Sequence, residues 1–298
     1  GESFPESGEW NGLSEVWQSS MLQPDFEDYV NNIREQIKLG NVYQVNACRI
    51  LSTKISKEIS LAPLFSKILD KNPAPFASFL RLPDIEIASA SPELFLAREG
   101  SHIKTSPIKG TRKLSETGAA FSDKDRAENV MIVDLMRNDF GRICKVGSVK
   151  VSQLFRSELH PGLEHLVSDV VGAVRDELTW AQIFKEILAP GSVSGAPKES
   201  AMNIIAESEP TDRGPYCGAL GWIEGESANL SVAIRIFWRN GEKLKFGAGA
   251  GITWSSDATA EWEETELKAV KLLSIAGGFR SDRWPFGVGL FETIRVEK

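Results

Sequence analysis

The sequence predicts an α+β fold, with antiparallel β-sheets packed as a sandwich and flanked by helices. Three observations carry that expectation. Short strand-like runs at residues 76–82, 85–91 and 94–98 are joined by tight turns, Pro83-Asp84 among them, and strands this close cannot be parallel. A second block of this kind covers residues 217–224, 229–238 and 243–253, with Gly225, Asn240 and Gly241 in its turns. Each block runs on into a helix, so the chain falls into two strand-then-helix halves.

Residues 1–24 carry Gly, Pro and Ser with little periodicity and read as a peripheral lead-in. Pro24-Asp25 opens a helix whose apolar stripe is Phe26, Tyr29, Ile33 and Ile37, and Gly40 stops it. Over residues 42–51 the pattern alternates, with Gln44, Asn46 and Cys48 on one strand face and Tyr43, Val45 and Ala47 on the other. That polar face is suited to line a site. A helix over residues 123–137 has Met131, Ile132, Leu135 and Met136 for its buried side, and another covers 198–208. Asp257 is a fitting N-cap for a last helix, on which Glu261, Glu264 and Lys268 share a face.

Composition narrows the function. At 298 residues, 42% hydrophobic and 25% charged, the chain can bury a full core as a soluble protein. A net charge of −7 without a Lys/Arg cluster argues against nucleic-acid binding. Three widely spaced cysteines, Cys48, Cys144 and Cys217, suggest neither a disulfide framework nor a zinc site, and a reducing cytoplasm is expected. No apolar stretch approaches the roughly 20 residues that span a bilayer. The amino terminus has no basic segment followed by an apolar core, so neither membrane nor export signal is expected.

Two acidic pairs stand out, Asp125/Glu128 and Glu261/Glu264. Side chains three residues apart share a helix face, so two such helices could bring four carboxylates together. That patch would need a cation, and oxygen donors without Cys or His suit Mg²⁺. The alternative is two solvated faces salt-bridged by Lys124, Arg126 and Lys268. The run Gly247-Ala248-Gly249-Ala250-Gly251 could bind a carboxylate through backbone N–H groups, or be a strand lying close against a neighbour. The loop over 191–198 lacks the Gly-Lys-Ser/Thr ending of a nucleotide-phosphate loop. Lys109, between Ile108 and Gly110, is either solvated or a desolvated amine able to act as a nucleophile. Glu93 is a surface carboxylate or a general acid raised by an apolar setting. His165 reads as a hydrogen-bonded structural histidine. Arg235, amid Val232, Ala233, Ile234 and Ile236, needs an anionic partner if buried.

Taken in order, these segments resemble one family. They are Val42-Tyr43-Gln44-Val45-Asn46, Ser89-Ala90-Ser91-Pro92-Glu93, Pro107-Ile108-Lys109-Gly110-Thr111 and Lys124-Asp125-Arg126-Ala127-Glu128-Asn129. Ile132-Val133-Asp134-Leu135, Arg137-Asn138-Asp139, His165-Leu166-Val167-Ser168, residues 191–198, Arg213-Gly214-Pro215-Tyr216, Ala233-Ile234-Arg235 and residues 249–264 follow. The set resembles the chorismate-using enzymes, which include the anthranilate, aminodeoxychorismate, isochorismate and salicylate synthases, and implies the anthranilate synthase-like fold over residues 25–275. The resemblance implies a Mg²⁺ site of Glu128 and Glu264, with Asp125 and Glu261 nearby through water. It implies that the metal grips the ring carboxylate of chorismate, aided by backbone at Gly249 and Ala250. Tyr216 and Arg235 match positions that hold the enolpyruvyl carboxylate, Ser192 and Ser194 line the pocket, His165 lies near the ring, and Glu93 protonates the departing C4 hydroxyl.

Two positions separate the branches. Isochorismate and salicylate synthases have a water-activating lysine where this chain has Gln44. Anthranilate synthases resemble Pro-Ile-Ala-Gly-Thr where this chain has Lys109, and the aminodeoxychorismate synthases have the lysine. The resemblance therefore implies C4 amination on the route to 4-aminobenzoate and folate, with ammonia from a glutamine amidotransferase subunit. Anthranilate formation and a silent chorismate-binding role are the alternatives. Residues 276–298 read as a linker and the truncated start of a lyase-like domain, because 286–296 resemble the opening of aminodeoxychorismate lyase. Relatives commonly carry a longer N-terminal portion, with tryptophan feedback residues in anthranilate synthases. Little of it is expected here, and the stretch at 114–123 is short.

Overall fold

The computed structural model describes residues 8–113, 121–160 and 163–280. Its first half contains β1 (Leu13–Ser19), α1 (Gln23–Lys38), β2 (Gln44–Lys54), α2 (Ala62–Lys71), β3 (Phe76–Leu82), β4 (Ile85–Ser91), β5 (Leu94–Glu99), β6 (His102–Ser106), β7 (Ile108–Lys113) and α3 (Asp123–Ile143). Then come β8 (Lys150–His160), β9 (Leu163–Ala173), α4 (Trp180–Ile187), β10 (Gly195–Ala196), α5 (Lys198–Ser208), β11 (Ala219–Glu224), β12 (Ser227–Val232), β13 (Ile236–Asn240), β14 (Lys243–Ile252), α6 (Ala258–Ala276) and β15 (Gly277–Arg280). One sheet has the order β15-β1-β2-β14-β13-β4-β3, with β10 on β2; the other has β11-β12-β5-β6-β9-β7, with β8 on β9. The expected α+β sandwich is present. Ile50, Ile87 and Ile236 of the first sheet share a core with Leu96, Val170 and Leu230 of the second.

Both strand blocks differ from their expected form in the same way. β3 and β4 pair antiparallel, but β5 leaves for the other sheet, where it pairs with β12 and β6. The run over 229–238 is likewise broken into β12, in the second sheet, and β13, in the first, with Arg235 at φ 53 between them. Strand periodicity cannot show such a change of sheet, since alternation is the same on either side of it. The two crossings are stitched together: Val232 N donates to Glu93 O at 3.0 Å, Ala90 N to Arg235 O at 3.1 Å, and Ser91 Oγ to Val232 O at 2.6 Å. They form a seam between the sheets.

The lead-in expectation also changes. Residues 13–19 form β1, with Trp17 buried and its Nε1 donating to Gly277 O at 2.8 Å. β15 lies parallel to β1, a parallel pair in otherwise antiparallel sheets, and it continues the domain to Arg280. The lyase-like stretch at 286–296 lies outside the described residues.

Three helices position the site. Pro24 in the first turn of α1 costs no hydrogen bond, and Phe26, Tyr29, Val30 and Ile33 are buried against the sheet. α3 begins with a capping box: Ser122 Oγ accepts from Asp125 N at 3.1 Å, and the Asp125 carboxylate accepts from Ser122 N at 3.2 Å. α3 runs to Ile143, beyond the expected end, burying Ile132, Val133, Leu135, Met136, Phe140 and Ile143; Met131 is only half-buried. Asp257 caps α6 as expected, accepting from Ala260 N at 2.9 Å. Arg49 of β2 anchors α6 through an ion pair with Glu266, a 3.0 Å bond to Thr265 Oγ1 and a face 4.1 Å from the Trp262 ring. Removing one partner of such a buried pair costs about 3–5 kcal/mol.

Candidate active site at the seam

Glu93 and Arg235 lie at the two crossings. Glu93 is 5% exposed, and burial raises its carboxyl above the usual carboxylate range against bonds from Ser192 and the Ile108 backbone and the charge of Lys109. It is placed to carry a proton. Arg235 is half-buried and has no ion-pair partner among the described residues, although Glu93 lies within its electrostatic reach.

Lys109 is half-buried on β7. Burial lowers its ammonium pKa, Lys268 lowers it further, and Glu128, Glu93 and Glu264 oppose them. A methyl group added at Gly251 would lie 2.7 Å from Gln44 Nε2 and 3.6 Å from Lys109 Nζ. Glycine at that point keeps the space before the amine open. Gln44 is buried, and its Oε1 has no hydrogen-bond partner.

The glycine run lies in a strand, β14. Gly249 and Gly251 stand opposite Cys48 and Asn46 in the β14–β2 register. The N–H groups of those two β2 residues turn away from β14, to Glu209 Oε1 and Ser194 O. Backbone at Gly249 and Gly251 therefore faces the outer edge, and Gly249 O accepts from Lys268 Nζ there at 2.9 Å. Ala250 stands opposite Ala47, at the alternate position that the β2 ladder uses. Gly247 leaves room for the Tyr216 ring, which a Cβ would meet at 2.4 Å; that ring also stacks on Trp238.

The four carboxylates occupy the facing ends of α3 and α6. Lys268 pairs with Glu264 at 2.6 Å and Lys124 with Glu128 at 3.8 Å, as the salt-bridge alternative expected. Asp125 is engaged in the α3 cap. Glu261 is buried, and burial raises its pKa against a Ser256 bond, with the Glu264 charge raising it further. Lys124 of α3 acts on both Glu261 and Glu264 of α6, so the two ends share one field. Among the described residues no three His, Cys, Asp or Glu side chains gather closely enough to hold a metal ion. The donor chemistry nevertheless fits Mg²⁺: the groups are carboxylates that repel one another and already draw cationic lysines.

His165, on β9, is 1% exposed; Thr111 Oγ1 lies 2.8 Å from its Nδ1. Burial, with His160 and Arg235 adding to it, lowers its pKa to about 4, so the ring is neutral at pH 7. Ser192 and Ser194 are buried in the turn after Pro190, and Ser194 Oγ donates to Pro190 O at 3.0 Å. Sequence reasoning missed the ion pair behind this turn. Arg213 donates to Glu209, to Val193 O at 2.9 Å and to Asn46 O at 2.7 Å, tying the serine turn to β2. The clue was the charged Arg213 beside Gly214-Pro215-Tyr216, read only as part of a motif.

Two sheets meet at a seam that gathers a buried carboxyl, a half-buried amine, a buried imidazole and a half-buried guanidinium, a candidate active site. The chorismate binding enzyme family matches residues 2–274, and the chain belongs to it. It is 38% identical over 271 residues to aminodeoxychorismate synthase component 1 of Salmonella typhimurium strain LT2, covering 88% of this chain and 59% of that protein. It is 36% identical over 271 residues to an anthranilate synthase component 1 of Haloarcula marismortui, covering 87% and 55%. The crystal structure of anthranilate synthase component I from Streptococcus pneumoniae superposes with a TM-score of 0.79 at 31% identity, covering 88% of this chain and 60% of that one. The chain thus spans a little over half the length of these relatives. Among the described residues no helix is long and apolar enough to cross a membrane.

Proposed function

We propose that the chain aminates chorismate at C4 to give 4-amino-4-deoxychorismate, using ammonia from a glutamine amidotransferase partner. The observation that carries this reading is Lys109, an amine with a lowered pKa beside Gln44 and the open space at Gly251. Its neutral form attacks C2 of the ring while the protonated Glu93 gives its proton to the departing C4 hydroxyl, which leaves as water. Ammonia then adds at C4 and expels the Lys109 amine, so the ring keeps its enolpyruvyl group. Arg235 and Tyr216 hold the enolpyruvyl carboxylate, and the neutral His165 lies beside the ring. A Mg²⁺ held by Glu128 and Glu264, with Asp125 and Glu261 close by, would supply positive charge for the ring carboxylate. The name of the Salmonella relative supports the C4 reaction, and its designation as a component supports a partner subunit.

Anthranilate formation is the second reading, favoured by the Haloarcula relative. One experiment separates them. The purified chain is incubated with chorismate, Mg²⁺ and an ammonium salt at mildly alkaline pH, and the product is identified by mass spectrometry with and without aminodeoxychorismate lyase. The expected product retains the pyruvyl group and is converted by the lyase to 4-aminobenzoate. In Lys109→Ala that product falls by about 10³-fold, the scale of a lost catalytic group. Anthranilate from the parent chain, or an unchanged 4-amino product from the variant, refutes the assignment.

A further inference from the structure

Two thiols lie behind Gly249 and Tyr216. Cys48 Sγ and Cys217 Sγ are 3.9 Å apart, and both residues are buried. Cys48 is in the middle of β2 and Cys217 lies just before β11, so the pair spans the two sheets. The Tyr216 hydroxyl is 4.0 Å from Cys48 Sγ, and a methyl group at Gly249 would lie 2.5 Å from the same sulfur. The remaining cysteine, Cys144, packs instead against Gly172.

The surroundings give the two sulfurs different characters. Cys48 is pushed up by burial and by the bond it donates to Cys217. Burial also works against the Cys217 thiolate, but that bond and the Arg213 charge outweigh it and bring the pKa down. Two thiols in contact, one more acidic than the other, supply an attacking and a resolving sulfur.

We propose that Cys48 and Cys217 are a modification site: hydrogen peroxide converts them to a reversible disulfide that displaces the Tyr216 turn and suppresses turnover. The Cys217 thiolate attacks one peroxide oxygen, the O–O bond breaks, and hydroxide leaves and takes a proton to form water. Cys48 sulfur then attacks the sulfenic acid, its proton and the sulfenic hydroxyl leaving as a second water. Two thiols are oxidised by two electrons, and one peroxide is reduced to two waters. The S–S bond is about 2.0 Å long, so the sulfurs must close by nearly 2 Å. That movement draws the Tyr216 turn and β2 together. Tyr216 has little room to follow, because its ring lies between Gly247 and Trp238.

The effect on turnover rests on the reading of Tyr216 and Gly249 as substrate-binding positions, whereas the disulfide itself does not. The purified chain is treated with hydrogen peroxide, alkylated, digested and searched for a Cys48–Cys217 linked peptide lacking two hydrogens. Chorismate binding is measured by calorimetry on the same samples, together with ammonium-dependent turnover. The expected result is the linked peptide, turnover lower by roughly 100-fold, as a displacement on the ångström scale can produce, and recovery with dithiothreitol. Cys217→Ser should form no such peptide, and the ratio of its turnover with and without peroxide should be near one. Cys48 and Cys217 recovered as alkylated thiols from samples in which Cys144 or methionine is oxidised would overturn the proposal. So would a linked peptide with unchanged binding and turnover. Should the reduced chain show no turnover at all, the proposed function fails, while the linked peptide and the binding measurement still decide the disulfide.

Discussion

Of the buried ionisable groups on strand β9, His165 and Asp169, four positions apart, respond to burial in opposite ways. At His165 burial prevails, and the pKa falls to about 4. At Asp169 burial would raise the carboxyl, but bonds from Lys104 at 2.8 Å, Ser106 at 2.7 Å and Arg156 bring it below its usual value. The His165 end looks into the seam, where Glu93 is raised and Lys109 lowered in the same manner. The difference between the ends lies in the partners. Where donors surround a buried charge, it stays charged and serves as a structural tie. Where they are few, burial shifts the group toward its neutral form.

Substitutions at the two ends should therefore be felt in different measurements. Glu93→Gln keeps the shape and removes the proton source, and turnover should fall by about 10³-fold with the urea midpoint unchanged. A large midpoint shift with retained turnover would put Glu93 in the structural class with Asp169. His165 should appear in the pH dependence of stability. Its folded pKa of about 4 lies below the unfolded value of roughly 6.5, so the unfolded chain binds the extra proton between them. Stability is full above pH 6.5 and falls, by up to about 3 kcal/mol, as the pH drops to 4. His165→Gln should remove that slope from urea titrations, and an unaltered slope would show that another group is responsible. The smallest effect is expected for Asp169→Asn, about 2 kcal/mol at pH 7 from weakened bonds to charged partners. Because the folded pKa of Asp169 is depressed, its contribution is present above roughly pH 3.9 and is lost as the pH falls through the folded value. The variant should therefore flatten the acid limb of the stability curve and leave the pH 4–6.5 region to His165.

The same contrast explains what could be read in the sequence. Glu93 and Lys109 stood out in the sequence because each lies in a short motif beside a proline or glycine. The seam itself did not, since residues 229–238 read as one continuous apolar-rich run across the break at Arg235. β8 and β9 were also missed. β8 is an edge strand exposed along both faces at residues 150–154, with Phe155 at φ 58, so no apolar alternation marks it. The acidic pairs were legible as helix faces. Their relation to one another was not, because it depends on how α3 and α6 approach, which no local spacing encodes. In the structure Lys124 and Lys268 supply the counter-charge, so the salt-bridged face and the shared acidic field coexist.

The seam has a mechanical consequence. Gln44 and Gly249 belong to one sheet, Lys109 and His165 to the other, and Glu93 and Arg235 to the stitched crossings between them. A small slide of one sheet over the other would change the gap between the first two pairs while leaving Glu93 and Arg235 in register. The crossings act as the pin of a pair of pliers: the jaws can part or close slightly without disturbing the carboxyl and the guanidinium at the joint.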